Sequence, residues 1–337
     1  LTTIKDIAKV AGVSVTTVSR ALNGYSDVNE KTRKKIKDIA NELKYSPNVM
    51  ARSLVMNRSK TIGLLVSEIS REGAKDNFTF EVLCGINDRA SESDYDIILF
   101  NTNTSKQKLK SYTQLCRERC VDGVILQGIK KEDPYLEEVI ESDVPCVMVD
   151  IPITGESVSY VTTDNVDGAK KAVQTLINFG HRKIAMMNGH ERAYVSGKRK
   201  LGYEQALQEA GIPFQEEWVL NGEFSEQVAE KEAYQFIQQH SDVTAFFCAS
   251  DLMALGVMKA AKQLNLRLPE QLSVIGFDDI LLAQYTSPSL TTVAQNKYQM
   301  GYAAAGLLID RLRMKEVPPF HMLDNELIIR ESVAKAP

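Results

Sequence analysis

Arg20 stands among Ser14, Thr16, Thr17 and Ser19, with Val15 beside them, within one short stretch. On the outer face of a helix, small hydroxyls and one guanidinium can reach base edges and phosphates in a major groove. A second set lies far along the chain. Asp150, Ser250, Asp251, Asp278 and Asp279 end β-rich apolar runs, Arg199 follows the run KIAMMNG, and Phe224 lies in NGEFS. Carboxylates accept from sugar hydroxyls, an arginine fork donates to oxygens, and an aromatic face stacks on the apolar side of a pyranose. Asp251 and Asp279 have a simpler reading as helix caps, since helix-like sequence follows each. The four histidines are isolated and the five cysteines scattered, without metal-ligand or triad-like spacing. Neither a G-x-G-x-x-G helix opening nor a G-x-x-x-x-G-K-[ST] loop occurs. The sequence therefore leads us to expect no catalytic residue, no metal and no cofactor.

The first set needs a helix–turn–helix to present it. Thr3 can cap a helix with Asp6 three residues on, and Ile4, Ile7, Ala8 and Ala11 share one face. Gly12 suits the sharp turn that follows. Ser14 caps a second helix whose Val18 and Leu22 point inward, which leaves Val15, Thr16, Thr17, Ser19 and Arg20 outward. Asn29 can cap a third helix over 30–45 with apolar residues Ile36, Ile39, Ala40 and Leu43, and Ser46-Pro47 is expected to end it. NVMARSLVMN, 48–57, is helix-forming but only about two turns long, so alone it is marginal and suits a switch.

The second set needs sheets. TIGLLV, YDIILF, DGVILQ and PCVMVD, then KIAMMNG, VTAFFCAS and LSVIGFDD, alternate with helix-length segments from Lys60 onward. That pattern predicts two parallel-sheet lobes with helices on both faces, and ligands bind at the carboxyl ends of such strands. The charge divides in the same way. Residues 1–58 carry +6 and the remainder −10, within a net −4 over 337 residues. A basic head on an acidic body fits an anionic partner for the head alone. No apolar run reaches the roughly 18 residues of a membrane span, and the start lacks a signal peptide's apolar stretch. Cys116 and Cys120, one turn apart in LCRERC, read as helix surface. A reducing cytoplasm is the expected location, with no membrane partner.

Six segments carry a resemblance over essentially the whole chain: TIKDIAKVAGVSVTTVSRALNG, YSPNVMARSL, SKTIGLLV, TTDNVDGAKKAVQTLINFGHRKIA, ASDLMALGVMKAA and LSVIGFDDILLAQYTSPSLTTV. With them the chain resembles the LacI/GalR family of bacterial transcriptional repressors. The resemblance implies an all-α helix-turn-helix headpiece (1–46), a hinge helix (47–59) and a two-lobed α/β regulatory domain of periplasmic-binding-protein type with parallel sheets (60–337). Its first lobe would take about 60–160 and 293–322 and its second about 161–292 and 323–337, with crossings near Val161, Thr291–Val293 and Leu323. Val15, Thr16 and Arg20 match the family's base readers. Ser14, Thr17, Ser19, Asn23, Asn29 and Thr32 would hold phosphates. In the hinge, Leu54 matches a leucine that wedges between base pairs, flanked by Asn48, Ala51 and Arg52.

Arg199, Asp278, Asp150, Phe224 and Ser250 match effector-contacting positions, with Ser67, Val195 and Gln295 matching more loosely. One departure is SEISREGAKDNFTFEVLCG, whose Glu68–Asn77 loop is several residues longer than usual; Phe78 or Phe80 would line the cleft beside it. The resemblance thus implies a homodimer on near-palindromic double-stranded operator DNA, controlled by a small sugar-like effector. Control by a phosphorylated carrier protein is the alternative within the family, and a solute-binding protein without a DNA role is the other. ELIIRESVAKAP carries no leucine heptads, so no added coiled coil is expected.

Overall fold

A computed structural model describes residues 2–45, 58–67, 77–101 and 110–337, in two compact units, Leu1–Ser59 and Lys60–Pro337. The hinge positions Asn48, Ala51, Arg52 and Leu54, and the Glu68 loop up to residue 76, lie outside the described residues.

The first unit holds α1 (Ile4–Ala11), α2 (Val15–Leu22) and α3 (Glu30–Glu42). Asp6 accepts from the hydroxyl and the backbone N–H of Thr3, each at 2.8 Å, and these bonds hold its carboxyl below the usual range. Gly12 turns the chain at φ 69°, where a side chain would be strained. Ser14 Oγ accepts from the Thr17 N–H at 3.0 Å, and Asn29 Oδ1 from the Thr32 N–H at 2.8 Å. Ile7, Val18, Ala21 and Ile36 are fully buried and knit the three helices into one core. The third helix stops sooner than Ser46-Pro47 would stop it. Leu43 caps it, Lys44 takes φ 48°, and the N–H groups of Lys44 and Tyr45 bond the carbonyls of Asn41 and Ala40. A left-handed residue with this bond pair closes a helix without proline.

The second unit alternates strand and helix. It begins β1 (Thr61–Val66), α4 (Phe78–Glu92), β2 (Asp96–Asn101), α5 (Tyr112–Glu118), β3 (Gly123–Gln127), α6 (Leu136–Glu141), β4 (Cys146–Val149) and β5 (Val158–Thr163). It continues α7 (Asn165–Asn178), β6 (Ile184–Asn188), α8 (Tyr194–Glu209), β7 (Val219–Asn221), α9 (Glu226–Gln239), β8 (Ala245–Cys248) and α10 (Asp251–Gln263). It closes with β9 (Ser273–Asp278), β10 (Thr291–Gln295), α11 (Lys297–Leu312), β11 (Phe320–Leu323) and β12 (Asn325–Ile328). Among the described residues the strands form two six-stranded sheets, ordered β11-β5-β4-β3-β1-β2 and β12-β10-β9-β8-β6-β7. Every pairing is parallel except that of β12 with β10.

Alternation along each strand explains why both faces are covered. Ile62, Leu64 and Val66 pack with Val82, Ile86 and Met300 from α4 and α11. Leu65 points the other way, toward Tyr112, Leu115 and Val139 from α5 and α6. Cys116 is therefore buried in that second layer, not on a helix surface, while Cys120 is exposed beyond the helix end. Gly85 and Gly301 let α4 and α11 touch backbone to backbone: a Cβ on Gly85 would overlap the Tyr298 carbonyl, and one on Gly301 the Val82 carbonyl. The second lobe buries Phe246, Phe247, Phe277, Met186 and Met187 beneath α7 to α10.

The chain passes between the sheets at Asp164, Asn296 and Asp324, just beyond the ends of β5, β10 and β11. Val161 and Thr291–Val293 lie within strands, so the crossings fall a few residues later than the sequence suggests. Asp164 and Asn296 cap the helices that follow, each accepting a backbone N–H at 3.0 Å. Asn325 donates to the Asp164 carbonyl at 2.8 Å, and the Thr163 hydroxyl to the Leu323 carbonyl at 3.1 Å, which ties two crossings side by side. No helix among the described residues is long and apolar enough to cross a membrane.

Candidate functional site

On the first unit, Val18 and Ala21 are buried, whereas Ser14, Val15, Thr16 and Arg20 are exposed and Thr17 and Ser19 half-buried. The Arg20 guanidinium is held between two neighbours: Nη2 lies 2.7 Å from Asp27 Oδ2, and the group sits 5.2 Å from the Tyr25 ring centre. Ser14 and Thr17 share a 2.8 Å hydroxyl contact, and Asn23 donates to Ser19 Oγ at 3.4 Å. Asn29 and Thr32 sit at the opening of α3, where one caps the other. The result is a helix face with hydroxyls at its N-terminal end and a cation one turn on, at a size and polarity a groove of DNA accepts.

In the second unit, Arg199 is the centre of a buried network at the strand ends. Only 3% of it is exposed. Its Nε donates to Asn165 Oδ1 at 2.8 Å, Nη1 to the Ala249 carbonyl, and Nη2 lies 3.6 Å from Asp278 Oδ1. Its guanidinium also sits 3.8 Å from the Phe277 ring centre. Asp278, at φ 111°, accepts from Gln295 Nε2 at 2.5 Å. Asp150, at φ 59°, directly follows β4 and accepts from the Thr162 hydroxyl at 2.7 Å, and Asn165 Nδ2 reaches that same hydroxyl. Burial pushes the Asp150 carboxyl up, against the pull of Thr162 and of the Arg199 charge. Burial lowers Arg199 in turn, opposed by Asp278, Asp150 and Asp251. Each group is thus desolvated and held by the others, the arrangement in which a ligand's hydroxyls can replace protein partners.

The buried polar atoms with no hydrogen-bond partner among the described residues include two amide oxygens at strand ends, Gln127 Oε1 on β3 of the first lobe and Gln295 Oε1 on β10 of the second. Gln295 gives its NH2 to a carboxylate, which can only accept, so its oxygen is the group left over. A buried amide oxygen without a donor is costly, and a ligand O–H or N–H would satisfy it.

Residues 3–48 match the family model for bacterial regulatory proteins, lacI family, and 173–333 match that for a periplasmic binding protein-like domain. The HTH-type transcriptional regulator RegA of Clostridium saccharobutylicum is 38% identical, over 98% of this chain and 99% of its own. The chain belongs to the LacI family. The HTH-type transcriptional repressor PurR of Vibrio vulnificus is 36% identical, over 99% of each chain. Among solved structures, the lac repressor dimer bound to operator and the anti-inducer ONPF is similar at a TM-score of 0.83 and 26% identity, over 99% of each chain. A complex of the transcriptional regulator CelR with cellobiose is similar at 0.75 and 32%, over 98% of this chain and all of that one. This LacI-family chain is a DNA-binding transcriptional regulator and not an enzyme.

Within this LacI-family chain the expected effector residues occupy several places. Arg199 and Gln295 both reach Asp278, and Asp150 joins Arg199 through Thr162 and Asn165. Val195 lines a cavity of about 130 Å³ with Asp150, Thr162, Asn165 and Tyr194. Ser67 follows β1 and donates its N–H to the Gln127 carbonyl at 3.0 Å. Phe224, at φ 55°, stands over Gly189 with its ring 5.4 Å from that of His190. Phe78 opens α4 and packs partly on the first-lobe core, and Phe80 is 62% exposed. Ser250 is the cap of α10, accepting from the Met253 N–H at 3.3 Å.

The capping role expected of Asp251 and Asp279 is not what they do. Asp251 is fully buried, accepting from the Ile280 N–H at 2.8 Å and the Thr292 hydroxyl at 2.5 Å. Burial, then the neighbouring Asp278 charge, pushes its carboxyl well up. Asp279 pairs with Arg330 at 2.7 Å. Gln127, Asn165 and Lys297 were not singled out from sequence. Gln127 does end the apolar run DGVILQ, a mark visible in sequence, and Asn165 opens α7 just after β5.

Proposed function

We propose that this LacI-family regulator represses carbohydrate-metabolism genes in the cytoplasm, binding a near-palindromic operator as a homodimer. Its ligand is a neutral, sugar-like molecule held between the lobes. The observation that carries the ligand reading is the buried Arg199–Asp278–Gln295 network, with the amide oxygens of Gln127 and Gln295 open to a donor. A polyol offers several O–H donors and acceptors close together, which such a site can satisfy. The solved CelR–cellobiose complex supports the same class of ligand. On the DNA side, Val15, Thr16 and Arg20 read bases, and Ser14, Thr17, Ser19, Asn23, Asn29 and Thr32 fix register on phosphates. Asn48, Ala51, Arg52 and the wedge Leu54 would act in the minor groove.

Ligand and operator share one coupling free energy, typically about 1–3 kcal/mol, and we assign its sign as induction. The test is a thermal-shift screen of the purified chain against mono-, di- and oligosaccharides, their phosphates, and planar heterocycles such as purine bases. A neutral sugar should raise the melting temperature, and its addition should weaken DNA binding. A heterocycle as the sole hit would overturn the sugar assignment. No hit, with DNA binding intact, would move the controlling partner to a phosphorylated carrier protein.

A further inference from the structure

Lys297 opens α11 just after the second crossing, yet only 3% of it is exposed. Its ammonium donates to the main-chain carbonyl of Asp278 at 2.6 Å and to that of Asp279 at 3.1 Å, both in the second lobe. Glu81, on α4 of the first lobe, places Oε1 3.8 Å from the same nitrogen. The two carbonyls belong to a turn at φ 111° and 49°, a region that non-glycine residues seldom occupy. Such backbone persists only where its surroundings over-determine it. Lys297 grips the turn from one side, and Arg330 holds the Asp279 carboxylate at 2.7 Å. A buried ammonium needs an opposite charge, and Glu81 brings one from the other lobe.

We propose that Lys297 is a positioning residue that holds the Asp278–Asp279 turn and couples it to Glu81. The grip that Asp278 exerts in the cleft and the placement of α4 then vary together. The proposal takes its purpose from the cleft being the ligand site, but the coupling itself is a property of the ligand-free protein and is tested there. Failure of the sugar screen would leave it standing.

The experiment is amide hydrogen exchange on the full chain without ligand, comparing wild type with Lys297→Met, Lys297→Arg, Glu81→Gln and the Lys297→Met/Glu81→Gln double variant. Lys297→Met should speed exchange at 278–283 by about tenfold while 252–262 of α10 stays within about twofold. Lys297→Arg, which keeps the charge and the donors, should restore most of the protection, a rescue that mere filling of space would not require. Glu81→Gln should speed exchange at 278–283 by about threefold although it lies in the opposite lobe, and should add nothing in the Lys297→Met background. Unchanged exchange at 278–283 in Glu81→Gln would overturn the coupling. Unchanged exchange there in Lys297→Met would overturn the positioning role. If Lys297→Met does not fold, Glu81→Gln, made at a partly exposed residue, and the Arg variant decide the matter.

Discussion

Arg20 Nη2 lies 2.7 Å from Asp27 Oδ2, so the cation expected to read DNA is held by a carboxylate of its own unit. Both side chains are about half exposed, and such a pair is weak and readily exchanged. DNA would take Arg20 from Asp27. Asp27→Asn should therefore raise affinity for DNA by about threefold at low salt, with the gain fading as salt rises. Arg20→Ala should weaken specific binding by about 1–3 kcal/mol and relax discrimination at one base pair. Fluorescence anisotropy with promoter DNA across a salt series checks both, and equal losses on specific and random DNA would remove Arg20 from base reading.

Arg199 is as much a structural strut as a ligand contact. Arg199→Ala would leave Asp278, Asp150 and Asp251 without their cation and Asn165 without its donor. Breaking a buried pair in this way should destabilise the regulatory domain by about 3–5 kcal/mol, visible as a lowered urea midpoint. Arg199→Lys keeps the charge but loses the fork, and should fold with ligand affinity reduced by about tenfold or more. A Lys variant with a wild-type thermal shift for the ligand would place the site elsewhere.

Burial of His181 gives stability a pH dependence. It is 1% exposed, with Nδ1 3.0 Å from Thr244 Oγ1 and Nε2 3.1 Å from the Ala334 carbonyl. Burial lowers its pKa below the ordinary value near 6.5. The unfolded chain therefore takes up a proton before the folded one does. Its contribution is complete above about pH 6.5 and is lost as pH falls toward and through the lower folded value. Melting temperatures measured between about pH 7.5 and 5 should fall more steeply for wild type than for His181→Gln. Parallel curves would contradict the assignment.

The seam between α4 and α11 has no room for a side chain at Gly85 or Gly301. Gly301→Ala should cost about 1–3 kcal/mol or more, because its Cβ would meet the Val82 main chain, which cannot rotate away. A urea midpoint equal to wild type would show that the two helices separate easily.

The division between sequence and tertiary structure follows the range of each interaction. Caps, turns and strand ends depend on residues within a few positions, so Thr3–Asp6, Gly12, Ser14 and Asn29 could be read directly, as could the alternation that covers both faces of each sheet. Sequence places the end of α3 too late because a left-handed Lys44 closes the helix before the proline is reached. The family resemblance points to Arg199, Asp278, Asp150 and Gln295 one by one. Only the fold joins them, because Arg199 stands on α8 and Asp278 at the end of β9, far apart in sequence, and packing of the second lobe brings the two within 3.6 Å. The same holds for Asp251, whose carboxylate reads in sequence as a helix cap and in the fold is a buried acceptor for Ile280 and Thr292. Lys297 is the extreme case. As a sequence it is one lysine at a helix start; its burial and its bonds to a second-lobe turn and a first-lobe carboxylate exist only once both sheets have formed around the crossing.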